Sequence, residues 1–188
     1  RQISNAIALL YSAKKPLLYV GGGAVISDAH AEIAKLAEHF HIPVTTTLMG
    51  KGAFDEHHPL SVGMLGMHGT AYANFAVSEC DLLVAVGARF DDRVASNLEQ
   101  FAQHAKVIHI DIDPAEVGKC KVPDVPIVGD VKNVLIELLA RLDQPVDSAQ
   151  TGAWRVRIDQ WKTDYPLKVP TYTEQLSPQQ VIDEVGRQ

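Results

Sequence analysis

The chain has 188 residues, of which 46% are apolar and 21% charged, with a formal net charge of −6. That balance suits one full hydrophobic core with an extension and excludes a disordered chain. The acidic charge speaks against broad nucleic-acid binding, which needs a basic footprint to displace counterions, and no apolar run approaches the length of a membrane span.

Taken in order, Ile3, Ile7, Leu10 and Tyr11 fall on one face of a first helix. Leu17-Leu18-Tyr19-Val20, preceded by Pro16, has the continuous apolar character of a strand buried on both faces, and Gly21-Gly22-Gly23 ends it. Ser27 or Asp28 is placed to cap the next helix, in which Ile33, Leu36, Ala37 and Phe40 share a face. Pro43 stops that helix before the strand Val44-Thr45-Thr46-Thr47. Residues 48–69 read as a glycine- and histidine-rich connection, too long for an ordinary linker and hence a functional loop. A helix over about Thr70–Glu79 buries Tyr72, Phe75 and Ala76, and Leu82–Val86 is the clearest central strand. Val107–Asp111 and the shorter Ile127–Val128 follow as strands, and Asp130 caps a helix with the stripe Val131, Val134, Leu135, Leu138, Leu139 and Leu142. The alternation of strands and helices predicts a parallel sheet covered on both faces.

After Leu142 the apolar stripe stops, and residues 143–148 read as a linker. Trp154, Ile158 and Trp161 mark a further amphipathic helix, and Val181, Ile182 and Val185 another beyond Pro166, Pro170 and Pro178, with little core of their own. Arg1-Gln2-Ile3 does not open a signal peptide, and a start without Met inside an apparent helix is expected of an internal piece of a longer protein. Cys80 and Cys120 form no C-x-x-C pattern, so neither a metal site nor a redox pair is indicated, and a reducing, bacterial cytoplasm fits best.

The chemistry gathers where strands end. Gly21-Gly22-Gly23 stands where a dinucleotide's pyrophosphate would approach a helix start, yet the spacing lacks the third glycine of the usual fingerprint, Ile26 standing there. A purely structural tight turn explains it equally well. Gly63 to Asn74 could be a loop in which Met64, Leu65 and Met67 fill core gaps. The interleaving of glycines with soft apolar groups favours instead the lining of a flat ligand, with Met67 as an adaptable contact and His68 at the helix start. Arg89-Phe90-Asp91-Asp92-Arg93 follows the central strand, where ligands of open α/β sheets bind, and its arginines suit phosphate or carboxylate rather than surface ion pairing. Asp111-Ile112-Asp113-Pro114 offers an acceptor for ribose hydroxyls or a helix cap at Asp113, and for Gly129-Asp130 the cap is the stronger reading. His57 and His58 have no partner at metal-ligand spacing and read as a solvated loop. No nucleophile elbow, P-loop lysine or triad appears.

In their order along the chain these motifs resemble the catalytic large subunits of the acetolactate synthases (acetohydroxyacid synthases), thiamine-diphosphate enzymes that also bind FAD. The resemblance is strongest over Gly63–Asn74, Val86–Arg93, Ile108–Pro114 and Val128–Asp130. It implies that residues 1–147 are the central, three-layer α/β/α Rossmann-like domain (a DHS-like NAD/FAD-binding domain) with a six-stranded parallel sheet. Residues 148–188 would then be a linker and the start of the C-terminal thiamine-diphosphate domain. By the same resemblance FAD contacts fall on Gly21, Gly22, Gly23, Thr47, Leu48, Leu65, Gly66, Met67, His68, Gly69, Gly87, Ala88, Arg89, Asp91, Arg93, Val94, Asp111, Ile112, Gly129 and Asp130. Met67, Asp92 and Arg93 would border the substrate channel, with Arg93 meeting the carboxylate of the second 2-ketoacid.

The implied activity condenses two pyruvates, or pyruvate and 2-ketobutyrate, with loss of CO2, in branched-chain amino-acid synthesis, by a homodimer or tetramer that can pair with a small regulatory subunit. Thiamine diphosphate and Mg2+ would sit on other domains, so this piece alone is expected to be inactive. The competing readings are the central domain of a pyruvate oxidase, glyoxylate carboligase or decarboxylase, and a stand-alone nucleotide-binding module.

Overall fold

Six chain segments line up as one parallel sheet in a computed structural model that describes residues 1–90, 101–143, 145–147, 149–170, 172 and 175–187. The strands are β1 (Pro16–Val20), β2 (Val44–Thr46), β3 (Ser61–Met64), β4 (Leu82–Val86), β5 (Lys106–Asp111) and β6 (Val125–Val128), in the order β3-β2-β1-β4-β5-β6. The expected parallel sheet and its six strands are therefore observed. The central strands β1 and β4 are buried along their whole length, which is why their sequences run apolar without alternation.

Helices cover both faces. On one side α1 (Gln2–Ser12), α3 (His30–Phe40) and α5 (Val131–Leu139) bury Ile3, Leu10, Ile33, Leu36, Phe40, Leu135 and Leu138 against Leu18, Val20, Val84 and Ile108. On the other, α4 (Ala71–Glu79) and α6 (Gly152–Asp164) bury Ala73, Ala76, Val77, Trp154 and Ile158 against Leu17, Tyr19, Leu83 and Val107. A five-residue helix, α2 (Gly22–Ile26), follows β1, and α7 (Pro178–Arg187) ends the described chain. Ser177 and Gln180 start α7 with a reciprocal capping box, the Ser177 hydroxyl accepting from the Gln180 N–H at 3.1 Å and the Gln180 side chain from the Ser177 N–H at 2.7 Å.

Several local expectations are corrected. The long 48–69 connection contains β3, an edge strand that the sequence hides because only Val62 of its four residues is fully buried. Neither Ser27 nor Asp28 caps α3, whose N-cap is Ala29 with no side-chain bond; Asp28 instead sits at φ 53° and binds Lys132. Thr47 lies beyond β2, where its hydroxyl accepts from the Gly50 N–H and closes a 3₁₀ turn over Leu48–Gly50. Phe75 does not enter the core. It is 36% exposed and packs tilted against Trp161 and edge-on against Tyr165, with ring centroids 5.5 and 5.3 Å away, and Tyr72 is only half-buried. After Pro114 the chain makes turns rather than a helix, with the Asp113 carboxylate accepting from the Ala115 N–H.

Helix α6, in the stretch assigned to the connector, lies firmly on the sheet. The Trp154 indole N–H donates to the Pro16 carbonyl at 3.0 Å, and Arg157 grips Glu79 through two nitrogens at 2.9 and 2.6 Å. That ion pair holds the Glu79 carboxyl below its ordinary range. Gln150, just ahead of the helix, donates to the carbonyls of Tyr11 and Ala13.

Candidate functional site

The strand order reverses between β1 and β4, and in open α/β sheets ligands bind at the carboxyl ends of the strands beside such a switch point. The turns leaving β1 and β4 are locked together there. Gly21 N–H donates to Val86 O and Gly23 N–H to Gly87 O, while Gly87 N–H reaches Ile110 O at the end of β5. A Cβ on Gly21 would lie 2.3 Å from Gly87 O, one on Gly23 2.8 Å from the Gly87 Cα, and one on Gly87 2.7 Å from the Ala24 nitrogen. Gly87 also has φ 57°, a conformation that glycine adopts without strain. Gly21 and Gly23 are thus required by backbone packing against the turn leaving β4, sixty-odd positions further along the chain. The tight-turn reading of the triple glycine is observed, and the same glycines leave the crevice wall bare of side chains.

Around this wall stand the other residues expected from the sequence. Thr47 and Leu48 follow β2, Asp111 ends β5 with Ile112 just beyond it, and Gly129 and Asp130 follow β6, all at the same carboxyl edge. Asp111 is almost buried and one of its carboxylate oxygens accepts from the Asp113 N–H at 2.9 Å. Asp130 performs the capping role, accepting from Asn133 N–H at 3.0 Å. The Gly63–Gly69 segment divides its apolar residues: Leu65 is buried, whereas Met67 is 79% exposed. Its fold depends on Asn74, which sequence reading did not single out. The Asn74 side chain accepts from Gly66 N–H and donates to Gly66 O and Thr70 O, clamping the loop from inside α4. Gly69 has no room for a side chain, because a Cβ would stand 2.2 Å from Met64 O. His68 lies in a turn two residues ahead of the Thr70 cap, and a cleft of ≈ 270 Å³ beside it is lined by Lys51, Glu56, Ser61 and Tyr72.

Arg89 is exposed after β4, and its backbone carbonyl accepts from the Tyr19 hydroxyl at 3.0 Å. One residue earlier, Ala88 O lies 3.1 Å from His109 Nε2. Burial holds the His109 imidazole below its ordinary pKa, so the ring is neutral near pH 7. The sequence marks Tyr19 and His109 only as strand residues. The available signal was polar ring atoms inside otherwise apolar runs, which must find partners when buried. Asp91, Asp92, Arg93 and Val94 lie outside the described residues.

Chemically the edge offers an exposed guanidinium, a near-buried carboxylate and a bare glycine wall, flanked by exposed apolar side chains at Leu48 (70%), Met67 (79%) and Ile112 (68%). Such a set suits a ligand that carries anionic groups and a flat, partly apolar ring. Among the described residues there is no group of three or more His, Cys, Asp or Glu side chains able to hold a metal ion, and no helix long and apolar enough to cross a membrane. Cys80 and Cys120 are both free, and burial pushes the Cys80 thiol up to about 12.

The family model described as the thiamine pyrophosphate enzyme central domain matches residues 3–138. Among curated relatives, the acetolactate synthase large subunit of Cyanidium caldarium is 57% identical over 190 residues, which cover 100% of this chain and 32% of that protein. An acetolactate synthase of Arthrospira platensis is 59% identical, with 95% of this chain and 32% of that protein covered. A probable acetolactate synthase large subunit of Methanocaldococcus jannaschii is 47% identical, with 98% and 32% covered. The chain thus spans about a third of the length of the curated relatives it matches.

Proposed function

The chain belongs to the thiamine pyrophosphate enzymes as their central domain, and from that premise we propose that it is the FAD-holding domain of an acetolactate synthase large subunit. The observation that carries the reading is the match of nearly the whole chain, at 47–59% identity, to the acetolactate synthase large subunit of Cyanidium caldarium, an acetolactate synthase of Arthrospira platensis and a probable acetolactate synthase large subunit of Methanocaldococcus jannaschii. The parent enzyme would join two pyruvates, or pyruvate and 2-ketobutyrate, with release of CO2, on the route to branched-chain amino acids in the cytoplasm. Thiamine diphosphate and Mg2+ would be held by other domains, the catalytic subunits would form a dimer or tetramer, and a regulatory subunit could join them. The present chain by itself would be inactive.

The residues at the crevice fit FAD. The glycine wall admits the dinucleotide's backbone closely, Arg89 supplies charge for its phosphates, and Asp111 supplies an acceptor for ribose hydroxyls. Leu48, Met67 and Ile112 offer apolar surface to the flavin ring. FAD serves here as a structural group. Residues of this chain would bind and orient it, while Met67, Asp92 and Arg93 are proposed to border the substrate channel.

Acetolactate formation by the full-length subunit, measured with FAD supplied and omitted, tests the proposal. A pyruvate-dependent, CO2-releasing synthesis of acetolactate that fails without FAD is expected. Oxidation or simple decarboxylation of pyruvate without carbon–carbon bond formation would reassign the domain to another member of the family.

A further inference from the structure

Tyr19, Ala85 and His109 stand in one row across β1, β4 and β5, for Tyr19 pairs in register with Ala85 and Ala85 with His109. All three are fully buried on the face covered by α4 and α6. From either side of the small central residue, both polar side chains reach the turn that leaves β4. Ala88 O accepts from His109, and Arg89 O from the Tyr19 hydroxyl. Because a carbonyl can only accept, the His109 proton is on Nε2, and Nδ1 is left buried with no hydrogen-bond partner among the described residues. Phe90 closes the space, its ring 5.9 Å from Tyr19 and 5.1 Å from His109.

These two carbonyls belong to the peptide planes immediately before and after the Arg89 Cα. With both planes held, the φ and ψ of Arg89 are restricted, and with them the direction in which its Cβ leaves the backbone. We propose that Tyr19 and His109 are positioning residues that aim Arg89 at an anionic group of the ligand in the crevice. The ligand's identity as FAD rests on the proposed function above; the aiming of Arg89 does not.

The test uses the full-length subunit with Tyr19→Phe, His109→Leu and His109→Gln, each alone and combined with Arg89→Ala. Two readouts are taken: FAD affinity by flavin fluorescence, and amide hydrogen exchange of residues 87–90 without ligand. Tyr19→Phe and His109→Leu are each expected to weaken FAD binding about tenfold and to speed exchange at 87–90. His109→Gln, whose amide can donate to the same carbonyl, should recover most of both. In the Arg89→Ala background the effect of Tyr19→Phe on affinity should vanish, which a general loss of stability would not produce. Equal effects with and without the Arg89 guanidinium, or unchanged exchange at 87–90 in Tyr19→Phe, would overturn the proposal. Should His109→Leu fail to fold, Tyr19→Phe, which removes one oxygen, decides the matter. If the unaltered subunit binds no FAD, the functional reading fails, and exchange at 87–90 still decides whether the turn is held.

Discussion

The wall between β1 and β4 and the face covered by α6 are both well packed, yet by opposite means. The wall is backbone against backbone: Gly21 and Gly23 meet Gly87 with no space for one carbon atom. The α6 face is side chains against side chains, with Trp154 and Ile158 in the core and Arg157 on Glu79 at the rim. Backbone packing cannot repack around an intruder, whereas side chains can shift rotamers. The candidate site lies on the part of the molecule that has no freedom to adjust.

Four variants sharpen or break that contrast. The largest effect is expected for Gly21→Ala, whose Cβ would stand 2.3 Å from Gly87 O; denaturant unfolding should show a loss of roughly 4 kcal/mol. A loss below that of an ordinary surface substitution would mean that the two turns can part. Trp154→Ala removes a buried indole and the donor to Pro16 O, and about 3 kcal/mol is expected in the same measurement. Here Trp154→Phe should restore more than half, as graded side-chain packing requires.

His109 comes next. Its folded pKa lies below the ordinary value of 6.5 because burial disfavours the cation, so the unfolded chain binds the proton first. Stability is therefore undiminished above about pH 6.5 and falls as the pH drops below it, with a slope of at most about 1.4 kcal/mol per pH unit. His109→Gln should flatten this part of the stability curve between pH 6.5 and 5, and an unaltered curve would show that another group titrates there. Arg157→Ala is expected to have the smallest effect, reduced further by salt, since its grip on Glu79 lies at the solvent-facing rim.

Much of the fold was legible because local signals agreed with tertiary roles. Leu82–Val86 reads as a buried strand and is one, and Asp130 reads as a cap and accepts from Asn133 N–H. The clustering of candidate site residues at one sheet edge followed from their positions just beyond strands. Three things were not legible. β3 carries too few buried side chains to stand out, and its register against β2 shifts between Val44 and Thr46. The demand for glycine at 21 and 23 comes from Gly87, far along the chain, and no local pattern records it. The role of Asn74 depends on its reaching back to a turn that its own helix follows.

Under the proposed function, the glycine wall and Arg89 would hold FAD at the carboxyl edge of the sheet. A crystal structure of the full-length subunit purified with FAD tests it most directly. The dinucleotide should lie along Gly21–Gly23 and Gly87–Arg89, with phosphate oxygens within hydrogen-bond reach of Arg89 and a ribose facing Asp111. FAD bound elsewhere, or a crevice that stays empty while the enzyme is fully active, would contradict the account.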